Sequence, residues 1–282
     1  MAARYRGRIA PSPTGLLHLG HAATFLCAFR RCVSEGGVLV YREEDLDGPR
    51  CRAEYSTAAR EDLRWLGIHW QEGPDAGGDA GPYVQSERLA IYRERLCALI
   101  DAGLAYPCGC TRGDIARALG APHEGEEEPV YPRTCRSRRG ERFEGDLIFR
   151  QNWRFRVPDG RTVSFEDGFC GPQEAVAGRD FGDFLIWRKD GFPAYQLAVV
   201  TDDALMRITE VVRGEDLVTS TFRQILLYEA FGEDAPAFAH APLVRDEQGK
   251  RLAKRDDARS IRALREAGMS ADAVIALALA GH

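Results

Sequence analysis

A chain of 282 residues, 44% hydrophobic and 29% charged, has the length to bury a conventional core, in one large domain or two smaller ones. Its net charge of -5 excludes a protein coated in positive charge, although polyanion binding needs only a local field. The longest apolar run, Ala273 to Ala280, is far short of the ~20 residues a membrane span needs, and the N-terminus lacks the apolar stretch of a signal peptide.

In chain order, strand-like Tyr5–Ala10, helix-like Leu19–Ser34, strand-like Val38–Arg42 and helix-like Arg52–Leu66 read as βαβα. Those lengths suit parallel strands joined by crossover helices, with a ligand outside the carboxyl ends of the strands. A further helix is expected over Glu87–Ala102, where Leu89, Tyr92, Leu96 and Leu99 keep one apolar face. From Tyr106 to about Gly178 the sequence turns rich in Cys, Pro, Arg and Glu, with short strands at Trp153–Val157 and Thr162–Phe165, and reads as an insertion. The alternation resumes with a strand at Phe184–Arg188, an apolar segment at Tyr195–Val200, a strand-like Met206–Arg213 and a helix at Leu217–Phe231. A polar loop, Arg245 to Asp257, precedes two short helices.

The opening turn, "GRIAPSPTGLLHLGH" from Gly7 to His21, carries the first chemistry. Pro11 and Pro13 hold their predecessors extended and Gly15 permits a tight turn, so the strand ends sharply. A helix beginning near Leu19 offers unpartnered N–H groups and the positive end of its dipole to a phosphate. His18 and His21 flank that end as donors to phosphate oxygens, and Gly20 leaves room for a flat ring against the backbone. Such donors stabilise charge that develops in a transition state.

A second polyanion signal is the loop Gly249–Arg255, "GKRLAKR", with four cations in seven residues. The arginines at 133, 136, 138, 139 and 142 form another basic stretch, with Glu141 and Glu144 beside it. Cys108, Cys110 and Cys135 fit a closed structural metal site, since zinc takes four ligands and favours thiolates. The fourth donor is open between His123 and Tyr131. Cys27, Cys32, Cys51, Cys97 and Cys170 are expected as small core residues, and the chain is too large to need disulfide stapling.

"RIAPSPTGLLHLGH" resembles the first signature of class I aminoacyl-tRNA synthetases in the glutamyl form, a signature that nucleotidylyltransferases carry more loosely. "RLAKR", Arg251 to Arg255, is similar to the K-L-S-K-R loop of the same subgroup, with arginine for the first lysine and Ala253 for the serine. The resemblance covers essentially the whole chain and implies a Rossmann-type doubly wound parallel α/β sheet. It divides the chain into residues 1–105 and 181–240 as the catalytic halves, 106–180 as a zinc-bearing insertion on the acceptor side of tRNA, and 241–282 as phosphate loop and helical tail. His18, His21 and Lys254 are the implied catalytic residues, with Gly20 and Arg251 also on ATP, which is bound with Mg2+.

By the same resemblance Glu44 takes the ammonium of L-glutamate, Arg8 and Arg213 its side-chain carboxylate and Tyr195 a hydroxyl contact, with Ala10 and Ser12 lining the pocket. Tyr131 joins the three cysteines on Zn2+. A chain ending at His282, without a helical anticodon module, resembles the glutamyl-queuosine tRNA(Asp) synthetase group. That implies activation of glutamate without tRNA, then transfer to the queuosine base of tRNA(Asp), by a cytoplasmic monomer with no membrane partner. The rivals are a compact synthetase charging a 3' terminal adenosine, a nucleotidylyltransferase, and a non-catalytic tRNA-binding module, which Ala253 favours.

Overall fold

A computed structural model describes residues 4–118, 130–138, 141, 143–244 and 260–280. Strand β1 (Arg6–Ile9) leads through the proline-rich turn into helix α1 (Leu19–Ser34), then β2 (Val38–Tyr41), α2 (Ala53–Trp65) and α3 (Leu89–Asp101). There follow β3 (Ala105–Cys108), α4 (Arg112–Ala118), β4 (Asn152–Phe155), β5 (Thr162–Asp167), β6 (Gly171–Val176) and β7 (Phe184–Trp187). The chain then runs through α5 (Tyr195–Leu205), β8 (Glu210–Gly214), α6 (Val218–Phe231) and β9 (Ala237–Ala241) to α7 (Ile261–Glu266) and α8 (Ala271–Leu279).

Strands β1 and β2 are parallel, as are β8 and β9. The backbone N–H of Thr209, just before β8, donates to the Arg6 carbonyl at 2.9 Å and so docks β8 beside β1. Alternate residues of these strands enter two different cores. Val40, Val211 and Phe238 pack with α3, α5 and α6, whereas Leu39, Tyr41, Val212 and Ala239 pack with α1 and α8. Period-2 side chains buried on both faces are what a sheet covered by helices on both sides demands.

The remaining pairing departs from a purely parallel sheet. Strands β3, β4 and β7 form a separate antiparallel sheet, and the β5–β6 hairpin is antiparallel, with β5 meeting β9 only at Asp167↔Phe238. The fold is therefore mixed α/β with a parallel block at its centre.

Two sequence expectations need correction here. Residues 206–209 are not strand: Met206 caps α5, Arg207 takes φ +54°, and β8 begins at Glu210. Cys170 is not a core residue but lies exposed in the turn between β5 and β6, while Cys32 is buried. Among the described residues no helix is long and apolar enough to cross a membrane.

Candidate active site

Beyond Ile9 the β1–β2 pairing continues into the loops. The Arg42 N–H donates to the Ile9 carbonyl at 3.0 Å and the Glu44 N–H to the Pro11 carbonyl at 3.1 Å, which sets Glu44 beside the opening turn. The tight bend centres on Pro13, closed by the Thr14 N–H to the Ser12 carbonyl at 2.8 Å, a three-residue turn suited to proline's fixed φ. The bend runs on through Gly15. Its φ is not left-handed, and a Cβ there would meet nothing within 4 Å. Ala10 is half-buried and Ser12 exposed at this edge.

His18 is the N-cap of α1 and uses its ring as the cap. Its Nδ1 accepts from the Gly20 N–H at 3.1 Å, and Nδ1 of His21 accepts from the His18 N–H at 3.3 Å. The two rings stack at 3.8 Å. With both Nδ1 atoms accepting, each neutral imidazole carries its proton on Nε2, which makes the distal nitrogens donors. The flat ring over Gly20 is His18's own, since a Cβ at Gly20 would lie 3.1 Å from its Cε1.

A buried charge network underlies the carboxyl edge. Arg42 is fully buried and reaches Asp203 at 2.6 Å, Glu44 at 3.0 Å and Asp202 at 3.7 Å. Asp202 accepts further from Arg88 Nε at 2.7 Å, Gln85 at 2.8 Å and the Tyr92 hydroxyl at 2.8 Å. Burial pulls the Arg42 pKa down, but Asp203, Glu44 and Asp202 outweigh it and hold the pKa well above the usual value. Burial pushes the Glu44 carboxyl up, against the pull of Arg42 and Arg8.

Arg8 lies 3.6 Å from Asp203 and donates from Nη1 to the Val212 carbonyl at 2.8 Å, while its Nε is buried without a hydrogen-bond partner. Its pKa is lowered, by burial first and, despite Asp203, by the neighbouring Arg42 and Arg213.

Arg213, on β8, completes the group. Its Nη1 points to the Tyr195 hydroxyl at 3.4 Å, Nη2 donates to Thr221 Oγ1 at 2.7 Å, and Nε donates to His240 Nε2 at 3.1 Å. Tyr195 is the first residue of α5 and is 39% exposed. Contacts thus run from Glu44 through Arg42, Asp203 and Arg8 to Val212, next to Arg213 and Tyr195. Every described residue expected on the amino acid lies on or beside this path. Sequence reasoning missed Arg42, Asp202, Asp203 and His240; two adjacent aspartates inside the apolar "LAVVTDDAL" were the available signal.

His240 is buried beside the rings of Phe165 and Phe238 and pairs through Nδ1 with Asp167. Its pKa is lowered to about 4, by burial and by Arg213, with Asp167 opposing. Asp167 is lowered to about 2: burial would raise it, but N–H groups of Cys170, His240 and Phe169 and the His240 ring outweigh that. Below pH 6.5 the unfolded chain binds a proton at His240 that the folded chain refuses until about pH 4, so stability falls as pH drops through that window, by roughly 3 kcal/mol in all. Asp167 adds a further loss below pH 3.8. Thermal melts from pH 7 to 4.5 are expected to show the first component, and His240→Gln to lack it.

Among the described residues, arginines of the basic stretches have partners. Arg133 and Arg136 pair with Asp159, Arg136 also with Asp183, and Arg138 with Glu141. Arg262 pairs with Glu61 and Asp62 on α2. Arg251, Lys254, His123, Arg139 and Arg142 lie outside the described residues. On the near sides of the phosphate loop, Val244 packs into the core with Ile9 and Leu17, and Ser260 forms a β-bridge with His18 while the Ile261 N–H donates to the Leu17 carbonyl at 2.8 Å.

A third cluster sits on β3 and the loop before the 3-10 turn at Arg136. The Sγ atoms of Cys108, Cys110 and Cys135 all lie within 4.8 Å of one another. The Tyr131 hydroxyl is 3.3 Å from both Cys108 Sγ and Cys110 Sγ, and Cys110 Sγ is 3.5 Å from Cys135 Sγ. Tetrahedral bonds of about 2.3 Å to sulfur and about 2.0 Å to oxygen require ligand separations of roughly 3.5–3.8 Å, so four donors here fit one metal ion. Gly182 lets the Tyr131 backbone approach, since a Cβ would come within 3.0 Å of its nitrogen. Arg154 stacks 3.9 Å over the Tyr131 ring and donates to Cys108 Sγ at 3.3 Å, a cation placed against accumulating thiolate charge. Burial and the surrounding thiols raise the Tyr131 pKa, whereas that of Cys135 is lowered to about 7 because hydrogen bonds from Tyr131 and Gly109 outweigh burial.

Comparison with known proteins agrees with this geometry. Residues 4–281 match the family described as tRNA synthetases class I (E and Q), catalytic domain. A Glutamyl-Q tRNA(Asp) synthetase of Nitratidesulfovibrio vulgaris is 48% identical over 94% of this chain and 82% of its own length. One from Symbiobacterium thermophilum is 46% identical over 95% and 84%. A glutamate tRNA ligase of Elizabethkingia meningosepticum, crystallised with its amino acid, superposes with a TM-score of 0.77 at 32% identity, over 90% of this chain and 52% of that one. A histidine-capped turn and buried arginines at one edge of a parallel block, with a match across nearly the whole sequence, leave neither a nucleotidylyltransferase nor a bare binding module: the chain belongs to the class I tRNA synthetases of the glutamate and glutamine group and is a ligase.

Proposed function

We propose that the protein activates L-glutamate with Mg2+-bound ATP, without tRNA, and transfers the glutamyl group to the queuosine base of tRNA(Asp). A glutamate carboxylate oxygen attacks the α-phosphorus, the bond to the β-phosphate oxygen breaks, and pyrophosphate leaves. The adenylate then acylates a hydroxyl of the modified base and AMP departs. No side chain need act as nucleophile; alignment and charge stabilisation supply the rate.

The observation that carries the acidic substrate is the convergence of Arg8 and Arg213, with Arg42 beside them, at one edge of the parallel block. Planar guanidiniums gathered there grip a carboxylate bidentately and favour it over an amide. Glu44, held by Arg42, receives the ammonium, and Tyr195 contributes its hydroxyl. ATP lies along the N-terminus of α1 with Nε2–H of His18 and His21 on its phosphates and Gly20 beneath. The signature they resemble assigns Lys254 and Arg251 to the ATP phosphates. Six residues of extended chain keep Lys254 within about 20 Å of Ser260, which itself bridges His18. The base as acceptor follows the relatives named for it.

ATP–pyrophosphate exchange is expected with glutamate alone, at least roughly 100-fold better than with glutamine. Glutamate should then pass to tRNA(Asp) carrying queuosine and not to tRNA(Asp) without it. Absence of exchange with any amino acid overturns the activation step, and charging of tRNA(Glu) overturns the acceptor.

We also infer that Cys108, Cys110, Cys135 and Tyr131 hold one structural Zn2+, which would cross-link β3 to the loop at Tyr131 and ionise the phenol. Cys135→Ser is expected to purify without the zinc that elemental analysis finds in the parent protein. Its melting temperature should fall by roughly 5–10 °C, the scale of 2–3 kcal/mol in a domain of this size.

A further inference from the structure

Behind Arg213 stands a pair of residues that the reaction does not touch. Arg213 donates from Nε to His240 Nε2 at 3.1 Å. A guanidinium has no acceptor, so Nε2 of His240 must be the accepting nitrogen and the imidazole proton must sit on Nδ1, where Asp167 Oδ2 receives it. Asp167 is in turn fixed through its other oxygen. Oδ1 accepts from the backbone N–H groups of Phe169 and Cys170 at 2.9 Å and of His240 at 3.0 Å. Both residues are buried, with His240 at 0% and Asp167 at 4% exposure. A surface ion pair would not need so many constraints on one carboxylate.

We propose that Asp167 and His240 are positioning residues for substrate recognition: Asp167 selects the imidazole tautomer that can accept from Arg213, and His240 thereby aims the guanidinium at the side-chain carboxylate of the amino acid. This rests on the reading of Arg213 as a substrate contact. Thr221 shares the task, taking Nη2 at 2.7 Å and lying 3.0 Å from His240 Nε2. Two of the guanidinium nitrogens are thus anchored from behind, which leaves Nη1 directed toward Tyr195.

Asp167→Asn tests the tautomer directly. The amide oxygen can keep the three backbone N–H donors only by turning its NH2 toward His240 Nδ1, which must then accept. The ring proton moves to Nε2, where it can satisfy Thr221 but meets the Nε–H of Arg213 donor to donor. In ATP–pyrophosphate exchange the expected result is a KM for glutamate raised roughly 10- to 100-fold, the effect of one buried hydrogen bond to a charged group, with kcat and the KM for ATP within about twofold. His240→Leu should behave likewise. His240→Gln, whose side-chain carbonyl can still accept from Arg213, should stay near the parent KM.

Long-range 1H–15N NMR of 15N-histidine-labelled parent protein at pH 7 should show His240 protonated on Nδ1, a readout independent of whether any variant folds. A proton on Nε2 in the parent overturns the proposal. So does an unchanged glutamate KM in Asp167→Asn while Arg213→Lys raises it. If Arg213→Lys leaves the glutamate KM unchanged, the reading of Arg213 itself fails, and the positioning role falls with it.

Discussion

His18→Asn is expected to lower the rate of glutamate-dependent ATP–pyrophosphate exchange by roughly 100-fold while leaving the melting temperature almost unchanged. The substitution separates two jobs that one ring performs. As N-cap of α1, His18 accepts the Gly20 N–H through Nδ1, and asparagine is among the best residues for that role. What asparagine cannot reproduce is a second donor on the far side of the ring, which the proposed function assigns to the phosphates. Removing one such donor costs about 10²–10³ in rate. His18→Ala is expected to show the same kinetic loss and, in addition, about 1 kcal/mol of stability for the missing cap. Equal melting temperatures for the alanine and asparagine variants would show that the ring does not serve as a cap; an unimpaired rate in either would remove His18 from the phosphate site.

Asp203→Ala is expected to cost about 3–5 kcal/mol of folding stability, the penalty for leaving a buried charge without its partner. Asp203 is shared by Arg42 at 2.6 Å and Arg8 at 3.6 Å, so its loss strands part of two buried guanidiniums. A functional loss should accompany it, because Arg42 also holds Glu44, and the glutamate KM is expected to rise at least tenfold. Asp202→Ala should not add to it independently, since both aspartates converge on Arg42. By contrast Glu54→Ala, which breaks an ion pair whose two side chains are 63% and 64% exposed, should leave the denaturation midpoint unmoved. Urea titration of the single and double variants distinguishes these outcomes.

Much of this network was illegible in the sequence for a plain reason: its partners are remote. Arg42 and Asp203, Asp167 and His240, and Arg8 and Val212 meet only through the tertiary fold, and no local pattern announces such a meeting. Local signals fared better. Helix α1 occupies Leu19–Ser34, the bounds that its apolar periodicity and the preceding turn predict. The segment at Tyr195–Val200 could not be typed because α5 is buried all round from Gln196 to Asp203, which erases periodicity. Strand β3, "AYPC", was hidden by its proline and β6, "GPQEAV", by its polar, glycine-led composition. The three cysteines were legible as chemistry and Tyr131 only through the resemblance, and that their four atoms converge required the fold. The loop carrying Lys254 was read only by its similarity to a known signature.

The bridge between His18 and Ser260 has a consequence for how the protein comes into being. Strand, turn and first helix are made well before the residue that bridges that turn, Ser260, which lies far along the chain from His18. Chains in which that later segment has not yet been made therefore lack the partner that pairs with His18. Such a long-range closure also predicts a late, slow step in refolding, after the helices have already formed.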